Sequence, residues 1–544
     1  MVTDGSESGR ANRAPNTSLP TDPWTRFHAR FLEPTSAVQL PGAESSVRPT
    51  AYVANALLVR PGDSSKVIDD IFRVAKKAGY YVKRDKKGDR DREWLARLPL
   101  TDQHRSEIAR QWVERIRLVP DRDSQELVRA EDAWRVLQAY RMEVGRDDED
   151  HVAVALEHLV AATVPIGGTP FTASHPFTAS HPFTASHPFT ASHGVDGALS
   201  GYAVPGGGGR QPVNWLGPGP QTTLRIDTTE TVRRPVVAVL DTGVGPHPWL
   251  DDGHVLRKLD VDGVPLDIAA SSPDNEVVGS INPLVGGLDP DAGHGTFIAG
   301  LIRQACPDAT VLAIRLFHGD GVVGEWDLLR ALQLLTVRHA LALDGDARYE
   351  PVDVLSLSLG YYHEQPSDLA YSSLLLGWLQ LIGRYGVTVV AASGNDATNR
   401  PMYPGAFAPG GGVEQDPKIL PVVCVGSENP DRSTALFSND GPWVGYLRPG
   451  ASLVSTYPQT IDASLNPTAE VVNGGRVRAS MDPDDYSAGF AVWSGTSFSA
   501  PVFAGQFAQR LLDAYQGGDD NPDPDLAVAR AARILEQMPK VSRP

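Results

Sequence analysis

Val236-Val237-Ala238-Val239-Leu240-Asp241-Thr242-Gly243 decides the fold. Its five leading residues are all apolar and three of them are β-branched. A run this short and this uniformly apolar predicts a strand buried on both faces, as in parallel sheets. It ends in a carboxylate, Asp241, with Gly243 to make the turn. Runs of the same character recur at Thr310–Leu316, Val352–Leu357 and Val387–Ala392, and helical patterns intervene at His294–Gln304, Trp326–Leu343 and Leu374–Tyr385. That alternation predicts an α/β fold, a doubly wound and mostly parallel sheet with helices on both faces. Ligands bind such sheets beyond the carboxyl ends of the strands, which is where Asp241 falls.

Around this stretch, 544 residues leave room for two to four domains at roughly 100–200 residues each. A hydrophobic content of 41% excludes a wholly disordered or collagen-like chain. The formal charge is −17. Residues 1–150 carry 26 basic and 25 acidic side chains, and the other 394 residues carry 23 and 41. The acidity thus belongs to the C-terminal two-thirds, a poor footprint for nucleic acid or an anionic membrane surface. Two cysteines, Cys306 and Cys424, exclude a disulfide scaffold or a cysteine-rich zinc module, and their apolar neighbours mark them as inert core thiols. The N-terminal stretch lacks an apolar signal region, and no run of 18 apolar residues occurs, so the expectation is a cytoplasmic protein without a membrane span.

Residues 1–48 are polar and rich in Pro, Ser and Arg, and predict a disordered lead-in. Residues 49–161 predict a small α+β domain. Its strands fall at Ala51–Arg60, Tyr80–Lys83 and Arg115–Val119. A helix capped by Asp63 runs to about Ala78, and further helices fall at Glu131–Val144 and His151–Val160. Residues 162–225 read as a low-complexity linker in which Pro-Phe-Thr-Ala-Ser-His occurs four times from Pro170 to His193. A β-helix would need apolar stacking positions and more copies, and the spacing puts no two of the repeat's histidines on one rigid face for a metal. Residues 226–520 hold the doubly wound domain, and 521–544 form a C-terminal tail or helix.

Three segments put reactive side chains at suitable places. Asp241 closes the first strand. His294 opens a helix in Gly293-His294-Gly295-Thr296-Phe297-Ile298-Ala299-Gly300. Ser497 stands at a helix start in Ser494-Gly495-Thr496-Ser497-Phe498-Ser499-Ala500-Pro501, where free backbone N–H groups favour a developing anion. Each segment alone has an ordinary structural explanation: a strand-ending Asp, a helix-capping His, an N-cap Ser.

Together, in the order Asp, His, Ser and with these flanks, they resemble the subtilisin-like serine peptidases, the subtilases. Further blocks agree: Ala391-Ala392-Ser393-Gly394-Asn395-Asp396, Ser356-Leu357-Ser358-Leu359-Gly360, Tyr403-Pro404-Gly405-Ala406, Phe437-Ser438-Asn439-Asp440-Gly441-Pro442 and Pro449-Gly450. The resemblance covers residues 234–515. It implies a subtilisin-like fold and a serine endopeptidase with Ser497 as nucleophile, His294 as general base and Asp241 as the group that orients His294. It also implies Asn395 as an oxyanion donor, and Ser358, Leu359, Gly360, Ser393 and Gly394 as substrate-binding residues. The chemistry requires such types: a nucleophile, a base for its proton and an orienting group for that base. Two residues depart from the pattern. Phe297 stands where a second His is common and Phe498 where Met is common; neither is a triad residue, and both bear on substrate preference.

An α/β-hydrolase would carry Gly-x-Ser-x-Gly and the order Ser, acid, His. Here the second Gly is missing and Ser497 comes last. A binding module on the same fold would lack part of the triad, which is complete. The partners implied are peptide or protein substrates, with no nucleic acid and no membrane, and a protein partner for the N-terminal domain. That domain reads either as a propeptide or as a regulatory or targeting unit, with regulation or targeting preferred because a linker separates it from the peptidase. No cofactor and no metal are expected. Asp251, Asp252 and the Asp482, Asp484, Asp485 cluster could ligate structural calcium but read as solvated surface carboxylates.

Overall fold

The computed structural model describes residues 23–33, 37, 47–61, 66–84, 86–121, 130–144, 153–162, 202, 209–224, 232–267, 276, 287–317, 320–364 and 373–541. From the N-terminus come β1 (Ala29–Leu32), β2 (Thr50–Val59), α1 (Lys66–Lys77), β3 (Tyr80–Arg84), α2 (Lys86–Arg97), α3 (Asp102–Gln111), β4 (Glu114–Pro120), α4 (Ala133–Val144) and β5 (Val154–Ala162). There follow β6 (Val236–Asp241), β7 (Val255–Leu256), α5 (His294–Ala305), β8 (Thr310–Arg315), β9 (Val322–Gly324), α6 (Glu325–Leu343), β10 (Val354–Leu357), β11 (Leu359–Tyr362), α7 (Ser373–Arg384), β12 (Thr388–Ala392) and β13 (Met402–Tyr403). The last part adds β14 (Val423–Glu428), β15 (Tyr446–Pro449), β16 (Leu453–Thr456), β17 (Phe490–Trp493), α8 (Thr496–Gln516) and α9 (Pro524–Gln537).

Seven strands form a sheet in the order β15-β14-β12-β10-β6-β8-β7, with every neighbouring pair parallel. Side chains of β6 alternate between two cores, as a period of two demands. Val236, Ala238 and Leu240 pack with Leu328, Leu332, Trp378 and Ile382 of α6 and α7. Val237 and Val239 pack with Ile298, Ile302, Phe503, Phe507 and Ile534 of α5, α8 and α9. Burial on both faces is why this strand reads as an unbroken apolar run. Each valine or leucine of the strand removed from water contributes about 1.5–3 kcal/mol. The strands that follow in sequence lie on both sides of β6, β7 and β8 on one and then β10 on the other, so Asp241 ends a strand at a topological switch point.

The second large sheet is antiparallel, in the order β13-β11-β5-β2-β4-β3, with β1 beside β2 and β9 beside β5. Its N-terminal strands pack on α1 and α4 through Leu57, Val59, Val67, Ile71, Leu137 and Leu156. Trp94, Leu95, Ile108 and Trp112 of the N-terminal region join the core of α6 and α7, with the Trp112 and Trp378 rings 6.2 Å apart. No helix among the described residues is long and apolar enough to cross a membrane.

Three stretches differ from expectation. The helix expected at His151–Val160 is the strand β5; all nine of its residues are buried, so no alternation marks it as a strand. Within the lead-in expected to be disordered, residues 23–33 form a helical turn and β1. Arg26 holds them there, donating to both oxygens of Asp320 at 2.6 and 3.1 Å and to the Val322 carbonyl at 2.9 Å. Within the expected linker, Arg210 donates to the carbonyls of Asp289, Pro290 and Ala292 and lies over the Trp493 ring, and Gln211 and Pro212 pair with β17. The hexapeptide repeats and the expected Asp63 cap lie outside the described residues.

Phe503 on α8 is fully buried against Tyr446, ring centroids 4.7 Å apart. Phe503→Ala is expected to lower unfolding free energy by about 3–5 kcal/mol; an unchanged denaturation midpoint would contradict this account of the core.

Candidate active site

Asp241 ends β6 with its carboxylate buried. Oδ1 accepts from the Thr242 backbone N–H at 2.8 Å and pairs with His294 Nδ1 at 2.8 Å. The other imidazole nitrogen of His294, Nε2, is buried and has no partner. Burial works to lower the His294 pKa; the adjacent Asp241 charge and hydrogen bond outweigh it, and Asp291 and Glu276 add to them, so the net shift is upward. The Asp291 carboxyl is pushed up to about 6, chiefly by burial and by the Asp241 charge, against His294 and Arg210.

The start of α5 is held by side chains on every side. Glu276 accepts from the Gly293 N–H at 3.0 Å and from Thr296 Oγ1 at 2.6 Å, and Thr242 Oγ1 accepts from the Gly295 N–H at 2.9 Å. Thr456 donates to the Thr296 carbonyl and Ser455 to that of Phe297. Gly293 has φ 79°, and a Cβ there would come within 2.3 Å of the Tyr457 ring, so both conformation and space require glycine. Buried polar groups are costly unless paired, and this network pairs those at the start of α5.

Ser497 lies in the first turn of α8, buried. The next residue, Phe498, sets its ring 5.2 Å from the His294 ring, which brings the two helix starts together. Asn395 follows β12, and its Oδ1 accepts from both the N–H and Oγ1 of Thr496 at 2.8 Å. Its amide nitrogen faces the turn before Ser497, 3.4 Å from where a Gly495 Cβ would stand. Ser358 donates its hydroxyl proton to the Ser497 carbonyl at 2.8 Å. Ser393 donates to the Asn439 carbonyl, and the Gly394 N–H donates to Thr496 Oγ1. Leu359 and Gly360 pair with the chain's own Ala162 and Ala161. The β9 edge faces the same strand, Val322 opposite Ala161 and Val323 opposite Val160.

The residues expected from sequence therefore gather at one end of the parallel sheet. The two departures, Phe297 and Phe498, are fully buried and pack on each other at 4.5 Å and on Trp493; they wall the imidazole rather than face solvent. Sequence reasoning missed Thr242, Thr296 and Glu276. The two threonines sit inside quoted motifs, but Glu276 lies in a stretch with no periodic or motif signal.

Among the described residues, two groups bring three metal-capable side chains together: His158, His363 and Glu364, and Asp462, Asp482 and Asp484. In the first, both nitrogens of His158 already face carboxylates. In the second, Asp462 is exposed, Asp482 half-buried and Asp484 buried, so Asp484 is not the surface carboxylate expected. Asp251 accepts from Gly253 and pairs with His254, and Asp252 pairs with Arg257. Cys306 and Cys424 are buried, and burial pushes the Cys306 thiol up to about 12.

The subtilase family model matches residues 233–523. A subtilisin-like protease of Coccidioides posadasii (strain C735) is 28% identical over 256 residues, 46% of this chain and 48% of that one. Serine protease AprX of Bacillus subtilis (strain 168) is 25% identical over 327 residues, 55% of this chain and 61% of that one. The chain thus spans roughly half the length of the curated relatives it matches. Among solved structures, a cold adapted subtilisin-like serine proteinase aligns at 20% identity over 57% of this chain and 86% of that one, with a TM-score of 0.34.

The His294 imidazole is expected to titrate above 6.5, the ordinary value, in an NMR pH series on the folded chain. Asp241→Asn removes the largest of the charges that raise it, leaving burial opposed only by Asp291 and Glu276, so the same signal should then move downward. A titration unmoved by the substitution would contradict the assigned cause.

Proposed function

The chain belongs to the subtilase family, and on that premise we propose that it is a serine endopeptidase acting through Asp241, His294 and Ser497. The observation that carries the reading is the buried Asp241–His294 pair at 2.8 Å with Nε2 left without a partner. Asp241 fixes the proton on Nδ1, so Nε2 is the basic nitrogen. Ser497 Oγ attacks the carbonyl carbon of the scissile amide as its proton passes to Nε2. The imidazolium so formed is stabilised by Asp241 and gives its proton to the leaving amine; water then repeats the sequence on the acyl-enzyme. The Asn395 amide, held through its Oδ1 by Thr496, serves as oxyanion donor together with the α8 N-terminus.

Substrate adds as an extended strand between β9 and β11, with main-chain hydrogen bonds to Leu359 and Gly360. What supports this is β5, which takes that path in antiparallel register, Ala162 opposite Leu359 and Ala161 opposite Gly360. The N-terminal region is thus an occupant of the substrate path, and it regulates the peptidase by excluding other chains until β5 is released.

Neutral imidazole is the active form, so the upward shift of His294 moves the acid limb of the pH–rate profile above 6.5. Ser497→Ala should abolish both labelling by a fluorophosphonate and any peptide hydrolysis. Asn395→Ala should lower kcat by about 10²–10³, a magnitude established on a subtilisin. Intact-mass spectrometry of purified wild-type chain should find a cut within residues 162–235 that Ser497→Ala lacks. A wild-type Ser497 that never takes the probe, in a preparation that hydrolyses nothing, would sink the reading.

A further inference from the structure

One buried cluster of charge has no part in the arrangement around Asp241 and His294. His158, on β5, has a separate carboxylate at each imidazole nitrogen: Nδ1 is 2.6 Å from Glu325 Oε2 and Nε2 is 2.8 Å from Glu364 Oε2. Its ring stacks on Tyr361 with centroids 4.5 Å apart and 19° between planes, and the Tyr361 hydroxyl donates to Glu325 Oε1 at 3.3 Å. All four side chains are buried. An imidazole facing an acceptor at both nitrogens needs two N–H donors, so His158 is held as the imidazolium. Burial opposes that charge, but Glu325 and Glu364 outweigh it and raise the His158 pKa to about 10.

The cation and the anions come from different parts of the chain. Glu325 opens α6 directly after β9, and Glu364 stands two residues beyond the end of β11. The carboxylates therefore belong to the walls of the strand path, and the imidazolium belongs to what lies in it. Emptied of β5, this end of the path would present two buried carboxylates that have lost the charge between them, Glu364 keeping the His363 imidazole, whose Nδ1 is 3.6 Å from its Oε2. Such a pair takes up a cation strongly, and a guanidinium could bond both acids while lying flat on Tyr361.

Its distance from the chemistry can be counted along β5. Ala162 is opposite Leu359, so the next register position is opposite Ser358, whose hydroxyl bonds the Ser497 carbonyl. His158 stands five residues before that position. We propose that Glu325 and Glu364, with Tyr361 beneath, form a subsite for a basic side chain, selecting polypeptides with Arg, Lys or His five residues upstream of the residue opposite Ser358. The proposal rests on the reading of β5 as an occupant of the substrate path.

The test uses the full chain and two internally quenched peptides that differ only in Arg or Glu at that upstream position. The Arg peptide should be cut with a kcat/KM at least about tenfold higher, and the Glu325→Gln/Glu364→Gln double variant should bring the ratio close to one. Equal rates in wild type, or a ratio unmoved in the double variant, overturn the proposal. Where neither peptide is cut, the pocket is read from melting of the full chain. His158→Arg should keep Tm near wild type, and His158→Glu should lower it. The glutamine pair should remove that loss, because it relieves the repulsion between like charges. A His158→Glu chain that melts with wild type overturns the proposal, whereas an inert Ser497 in the same preparations counts against the protease reading alone.

Discussion

Burial of β6 on both faces is the constraint on which the remaining structure depends. A strand that sends Val236, Ala238 and Leu240 to one core and Val237 and Val239 to the other cannot lie at a surface. Helices must cover both sides, and the neighbouring strands must be reached by crossovers, which makes the sheet parallel. Strand direction then brings the carboxyl ends of β6, β10 and β12 to one edge. Asp241 is the last residue of β6, and Ser358 and Asn395 follow β10 and β12 within three residues. The gathering of reactive side chains is thus a consequence of sheet topology before it is a matter of hydrogen bonds.

Placing a carboxylate and an imidazole at that edge without water has a cost, and the surrounding polar side chains offset it. Thr242, Thr296, Glu276 and Thr456 tie the first turn of α5 to the loop after β6 and to β16. The aromatic wall of Phe297, Phe498 and Trp493 fixes the ring plane from behind. Rigid support of this kind lets the His294 nitrogen without a partner point in a single direction.

The parallel sheet was legible because its strands are buried on both faces and its helices are long and periodic. The motif residues were legible because their flanking glycines and small side chains are themselves required, as at Gly293 beneath Tyr457. What could not be read was pairing at a distance. β5 is as apolar as a core helix, and only its partners make it a strand: β2 earlier in the chain, and β9 and β11 more than 150 residues further along it. Glu276 illustrates the same limit, since an acid in an unpatterned stretch announces nothing until the fold brings it under Gly293 and Thr296. Arg26 and Arg210, which fasten segments expected to be loose, act through backbone carbonyls and one carboxylate that no local pattern predicts.

The strand path has one more consequence. Ala161 lies opposite Val322 on one side and Gly360 on the other, so β9 and β11 are separated by the width of a single strand. Adjacent strands stand about 4.7–4.9 Å apart, whereas a helix with its side chains is about 10–12 Å across. A slot with hydrogen-bonding edges on both sides therefore admits bare extended backbone and rejects a helix or a folded hairpin. On the proposed reading of this path as the substrate's, natively folded proteins would enter only through segments that open locally, so their susceptibility would follow the free energy of that opening as much as their sequence.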